Sequence, residues 1–196
     1  MKINIYISLY SGILVILFYC IFTFISIGLF PPPFSPIDNW LSDLGNSSFN
    51  PNGAIFYNLG CITTGIALLP FFIGLYAWKA EKLWNNILLI ATIVIGCFAG
   101  FALILIGIYS EDFMSPHVFW SDVFFETILI VLVLAGISLL FNKDFIKWIA
   151  IYGFIVFVFD LFFVFFVGKP ILEWIVVFTA LAYVGLLVYN NYVIRP

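Results

Sequence analysis

The chain has 196 residues, 65% of them hydrophobic and 9% charged, and a net charge of −3. Soluble domains carry about 45–50% apolar and about 25% charged residues, so a water-soluble globule of this size has nowhere to hide the apolar surface. Seven basic residues without a run or a face argue against nucleic acid as a partner, and the composition is that of one all-α polytopic membrane domain covering 1–196.

The first element, over roughly 4–30, follows a single lysine and is far longer than the roughly 7–15 apolar residues of a signal sequence. It has no small-x-small cleavage site. It reads as a membrane span that stays in the protein.

The next segment, "SPIDNWLSDLG" over 35–45, is polar in an apolar chain. Ser35 and Asp38 form a variant capping box with Pro36 at the first helical position. Ile37, Trp40, Leu41 and Leu44 share one face; Asn39, Ser42 and Asp43 share the other. Gly45 suits a left-handed helix end. The spacing predicts a short amphipathic helix in the first outer loop. It lies on the bundle or at the interface, with Trp40 as anchor, and its polar face looks either to water or down onto the bundle as a lid. Asn46-Ser47-Ser48 matches a glycosylation sequon.

Five further spans are predicted at roughly 53–77, 84–110, 116–140, 146–167 and 171–192. Each is near the roughly 20 residues a bilayer requires, and their continuous apolar runs exclude a β-barrel. Asn50-Pro51 and Ser115-Pro116 are read as caps opening the second and fourth spans, and Pro70 as a kink in the second. Gly60 and Thr64, like Gly96 and Gly100, are spaced for close helix packing. Cys20, Cys61 and Cys97 all fall in apolar runs and read as small core residues.

Orientation follows the lysines. Lys2, Lys79, Lys82, Lys143, Lys147 and Arg195 fall on one side and Lys169 alone on the other. The positive-inside rule puts the first group, with both termini, in the cytoplasm. The expected location is the cell membrane. Eight acids then fall on the outer side: Asp38, Asp43, Glu111, Asp112, Asp122, Glu126, Asp160 and Glu173.

Some of these acids lie within spans. At about 1.5 Å rise per residue, Asp122 lies about 9 Å and Glu126 about 15 Å down the fourth span, Asp160 about 12 Å down the fifth, and Asn58 about 10 Å down the second. A charge at mid-bilayer costs about 2.5–3.5 kcal/mol on insertion scales, so these side chains are expected to face each other or a wet cavity. Crowded carboxylates must share a proton or a cation. A protonated acid is also what general-acid chemistry uses, while the same acids hydrogen-bonded to Asn58 or to tyrosines would simply hold helices together. His117, at the outer mouth near Glu111 and Asp112, is a candidate proton carrier or headgroup contact.

"FSPIDNWLSDLGNSSFNPNGAIFYNLGCITTG" resembles the signature of a prokaryotic membrane family, domain of unknown function 998 (DUF998). Ser35, Asn39, Leu41, Ser42, Asp43, Leu44, Gly45, Asn50, Pro51, Phe56, Asn58 and Gly60 carry the likeness. Gly107, Tyr109, Glu111 and His117 of "GIYSEDFMSPH" add to it. The resemblance implies a six-span membrane protein and no established activity.

Three functions compete. In the first, the protein binds or processes a lipid headgroup or other polar substrate at the outer leaflet. Asp43, His117, Asp122, Glu126 and Asp160 then act as acid, base or cation ligands, and Asn39, Trp40, Ser42, Asn58 and Glu111 line the site. The absence of arginine counts against a phosphate. In the second it is a proton- or cation-coupled transporter, which needs a polar continuation inward; Asn85, Asn86 and Thr92 are the nearest candidates. In the third it is a structural protein for an unknown membrane partner.

Overall fold

The computed structural model describes residues 2–166 and 168–194. Arg195 and the Lys2 side chain, two of the six basic groups placed on the inner side, lie outside the described residues. In hydrocarbon every backbone N–H and C=O needs a partner within its own segment, and the helix supplies it. Six helices are long and apolar enough to cross a membrane: α1 Lys2–Leu29, α2 Ala54–Gly74, α3 Leu83–Ile108, α4 Met114–Leu140, α5 Lys147–Phe165 and α6 Pro170–Ile194. No strand occurs among the described residues. The expected spans are met within a few residues at each boundary.

Each helix packs on its neighbours in sequence, and α6 returns to pack on α1. The bundle is a closed ring. One end carries the 30–53 connection, the 109–113 turn and the α5–α6 turn; it is the acid-rich end. The other, lysine-rich end carries the connections 79–82 and 141–146.

Close approach of α2 and α3 rests on glycine. A Cβ on Gly65 would stand 2.6 Å from the Gly100 carbonyl oxygen, and one on Gly100 would stand 3.0 Å from that of Gly65. Of the small residues singled out in sequence, Gly100 makes this close contact, with Gly65 as its partner, while Gly60 receives Phe22 of α1. Pro70 lies inside α2. Beyond Gly74 the chain tightens into a 3-10 turn, Leu75–Trp78.

Two predicted helix starts shift. The fourth helix opens at Met114, preceded by a 3-10 turn over Glu111–Phe113, so Ser115 is not its cap and Pro116 sits inside the first turn. There its missing N–H costs nothing. The second helix opens at Ala54 with Gly53 as its N-cap and no side-chain cap hydrogen bond, so Asn50 is not its cap; Asn50 instead closes the turn before it, its Oδ1 accepting the Gly53 N–H at 3.1 Å.

The amphipathic helix over 35–45 does not form as one piece. A turn at Ser35 begins it, with the Asn39 N–H donating to the Ser35 carbonyl at 2.8 Å. The next two backbone donors are then captured by carboxylates. Trp40 N–H donates to Asp43 Oδ2 at 2.9 Å, and Leu41 N–H to Glu173 Oε2 at 2.7 Å. Deprived of these donors, the helix breaks and resumes as a 3-10 turn, Ser42–Gly45. The expected apolar face splits as well: Leu41 and Leu44 are fully buried, whereas Ile37 is 69% exposed.

Candidate functional site

The segment 41–50 turns Asp43, Asn46 and Asn50 inward, leaves Ser47 and Ser48 exposed, and covers the acid-rich end as a lid. Asn50 anchors it. Fully buried, it donates through Nδ2 to Ser26 Oγ at 2.9 Å and to the Leu44 carbonyl at 3.0 Å. Asn58 Nδ2 donates to the Gly45 carbonyl at 3.0 Å. Gly45 is not left-handed, and no glycine among the described residues has positive φ. It is there because a Cβ would stand 2.4 Å from Asn58 Oδ1. Asn46 is buried and accepts the Ser48 N–H, which leaves the sequon side chain turned inward.

Beneath and beside the lid three carboxylates converge from three distant elements. Asp43 comes from the lid, Glu111 from the turn before α4, and Glu173 from the first turn of α6. Asp43 is buried, accepts from Asn39 Nδ2 and the Trp40 N–H, and faces Glu111. Burial pushes its carboxyl above the ordinary Asp range, against the pull of those two hydrogen bonds. Glu173 is buried and holds the lid backbone at Leu41, while its neighbour Trp174 donates from Nε1 to the Asn39 carbonyl at 3.0 Å. Asp112, at the rim, accepts from both the N–H and the Oγ of Ser47.

Below this layer a cavity of about 130 Å³ lies among α1, α2, α3, α4 and α6. Its head is lined by Leu41, Ser42, Tyr19, Tyr57, His117 and Glu173, and its foot by Leu75 and Leu187. The two tyrosine hydroxyls lie 3.4 Å apart. His117 is buried, with Nδ1 2.9 Å from the Tyr109 carbonyl. A carbonyl only accepts, so Nδ1 carries the hydrogen, and the ring ties the start of α4 to the end of α3.

The expected layer of Asp122, Glu126, Asp160 and Asn58 separates into three places. Asp122 and Glu126 are exposed on the flank of α4, in a groove of about 350 Å³ with Trp40, Phe125, Phe163 and Gly168. Asp160 lies on the buried face of α5 with Ile149, Gly153 and Val156, and neither of its oxygens has a partner among the described residues. Asn58 belongs to the lid. Position along a span does not fix the direction a side chain takes around its helix.

Glu173 is the site residue that sequence reasoning passed over. Its partner Leu41 is 132 residues away, and no local spacing reports such a contact; the one hint was its place three residues after Pro170, beside a tryptophan. No group of three His, Cys, Asp or Glu is arranged to hold a metal ion among the described residues.

Residues 13–190 match a family model described as a protein of unknown function, DUF998. No curated protein and no solved structure matches the chain.

Proposed function

We infer a binding function for this chain, which belongs to the DUF998 family: it holds a single-chain amphiphile, tail in the cavity and polar head under the lid. The observation that carries this reading is the cavity itself. It is apolar along most of its wall and ends in a buried carboxylate, Glu173, beside Ser42, His117 and two tyrosine hydroxyls. An apolar pocket with a few convergent polar groups is the usual form of a small-molecule site.

The head is uncharged or cationic. Asp43, Glu111 and Glu173 crowd that end, and no lysine or arginine lines the cavity. A phosphate would find no counter-charge there, because the only ionisable side chains of the cavity head among the described residues are Glu173, His117 and two tyrosines. Hydroxyl or ammonium groups find acceptors instead.

The lysine count supports a cytoplasmic lysine-rich end in the cell membrane, which puts the lid on the outer face.

The test is native mass spectrometry of the protein in nanodiscs, titrated with an alkyl glucoside, an alkyltrimethylammonium and an alkyl phosphate of equal chain length. The glucoside and the ammonium are expected to bind one per chain and the phosphate at least tenfold more weakly. Ala135, fully inside the wall, becomes a plug as Ala135→Trp and should abolish binding. Equal binding of all three probes, or binding untouched by a folded Ala135→Trp protein, overturns the reading.

A further inference from the structure

Holding a tail requires no polar atoms in the middle or at the foot of the cavity. They are present in the wall and again one turn beyond the foot. Thr64 on α2 and Tyr183 on α6 line the cavity wall, are at least nine-tenths buried, and have hydroxyls without a partner among the described residues. Helical threonines commonly bond back to the carbonyl one turn earlier. Thr63, Thr92, Thr127 and Thr179 do so in this bundle. Thr64 does not.

One turn beyond the foot, at Leu75 and Leu187, lies a polar seal. Trp78 Nε1 donates to Asn191 Oδ1 at 2.8 Å, Asn142 Nδ2 donates to the Trp78 carbonyl at 2.7 Å, and the Ile146 N–H donates to Asn190 Oδ1 at 3.0 Å. Phe145 meets the Trp78 ring edge-on with centroids 5.1 Å apart. At this seal two more polar atoms have no partner among the described residues: Asn190 Nδ2 and Asn191 Nδ2, on side chains at most 1% exposed.

An unsatisfied buried polar atom costs about 1–3 kcal/mol. Thr64 and Tyr183 on the cavity wall, with Asn190 and Asn191 at the seal, are a poor way to build a static plug, since leucine or valine would close the space without that penalty. They suit a lining that polar groups pass. Beginning with Ser42 and Glu173 at the head, they supply hydroxyl, amide and carboxylate contacts from one end of the ring to the other.

We propose that the cavity is a translocation route, along which the uncharged or cationic head of the amphiphile moves between the acid-rich and lysine-rich ends. The Trp78–Asn191–Asn142 cluster closes the route at the lysine-rich end in this conformation. The proposal rests on the binding reading of the same cavity and adds movement to it.

Two measurements test it. In the first, wild-type protein is reconstituted in vesicles with a fluorescent alkyl glucoside, and a membrane-impermeant quencher reports its movement between leaflets. Protein-containing vesicles are expected to lose the protected pool at least tenfold faster than protein-free ones. In the second, Cys20, Cys61 and Cys97 are replaced by alanine and Thr64→Cys is introduced. An impermeant thiol reagent applied from the lysine-rich side should label it at least tenfold faster when Trp78→Ala or Asn191→Leu is added. Glucoside that binds in nanodiscs but moves no faster than in empty vesicles overturns the route and leaves binding standing. Loss of both overturns both. Folded seal variants with unchanged labelling overturn the seal as the gate, and the transport assay, which needs no seal variant, decides the route even if those variants do not fold.

Discussion

Asp160 shows how far a single residue can be read in sequence. Its presence inside a span marked it as unusual, and it is indeed fully buried. What the spacing did not show is its isolation. Asp122 and Glu126 were expected to meet it, but both point to the flank groove instead. If Asp160 has only packing to do, its unpaired oxygens are a liability of about 1–3 kcal/mol, and an apolar residue of similar volume should relieve it. Asp160→Leu is therefore expected to leave the thermal unfolding temperature unchanged or raise it. A marked fall, read by thermal unfolding in detergent, would show that the carboxyl has a partner in the native membrane protein, and that its burial alone does not describe it.

At the scale of elements, the six spans were legible because a bilayer imposes one rule on every backbone group, and length with composition answers it. The lid was legible only in part. Its capping residue, its proline and its apolar stripe are all signals for a helix, and the chain begins to obey them at Ser35. The helix is interrupted by Asp43 and Glu173, which take the Trp40 and Leu41 donors. One of these competitors is remote, so local propensity had no means of reporting it. By contrast a break at Asn50 was readable, because its side chain closes a local turn onto the Gly53 N–H, although α2 itself starts only at Ala54. That residue does more than close a turn: it joins α1, the lid and the entry to α2 through Ser26, Leu44 and Gly53. Asn50→Ala is expected to cost about 1–3 kcal/mol per buried group left unpaired. It should also loosen the lid before it loosens the spans. Hydrogen exchange should therefore rise over 41–53 while the centres of α2 and α3 stay protected; uniform loss of protection would mean that the lid is not a separable unit.

At the scale of the whole molecule, closure of the ring was not legible. The contact between α1 and α6 joins segments at opposite ends of the chain, and apolar faces in a membrane do not announce their partners, since lipid is as apolar as leucine. The cavity has α1 and α6 residues in its wall, which is why the sequence pointed to acids while the structure adds an apolar cavity beneath them. Orientation is the opposite case, a property of the whole chain written in a few charges. Of seven basic residues, six were assigned to one side, and Lys79, Lys82, Lys143 and Lys147 lie in or beside the two connections at the lysine-rich end. Replacing these four with glutamine leaves Lys2 and Arg195 against Lys169, too small a bias to fix a topology. Wild-type protein with a C-terminal reporter active only in the cytoplasm should give a full signal, and its counterpart active only outside should give none. The four-fold glutamine variant should split the signal between the two reporters. If that variant inserts as uniformly as the wild type, the lysines do not set the orientation, and the assignment of the lid to the outer face loses its support.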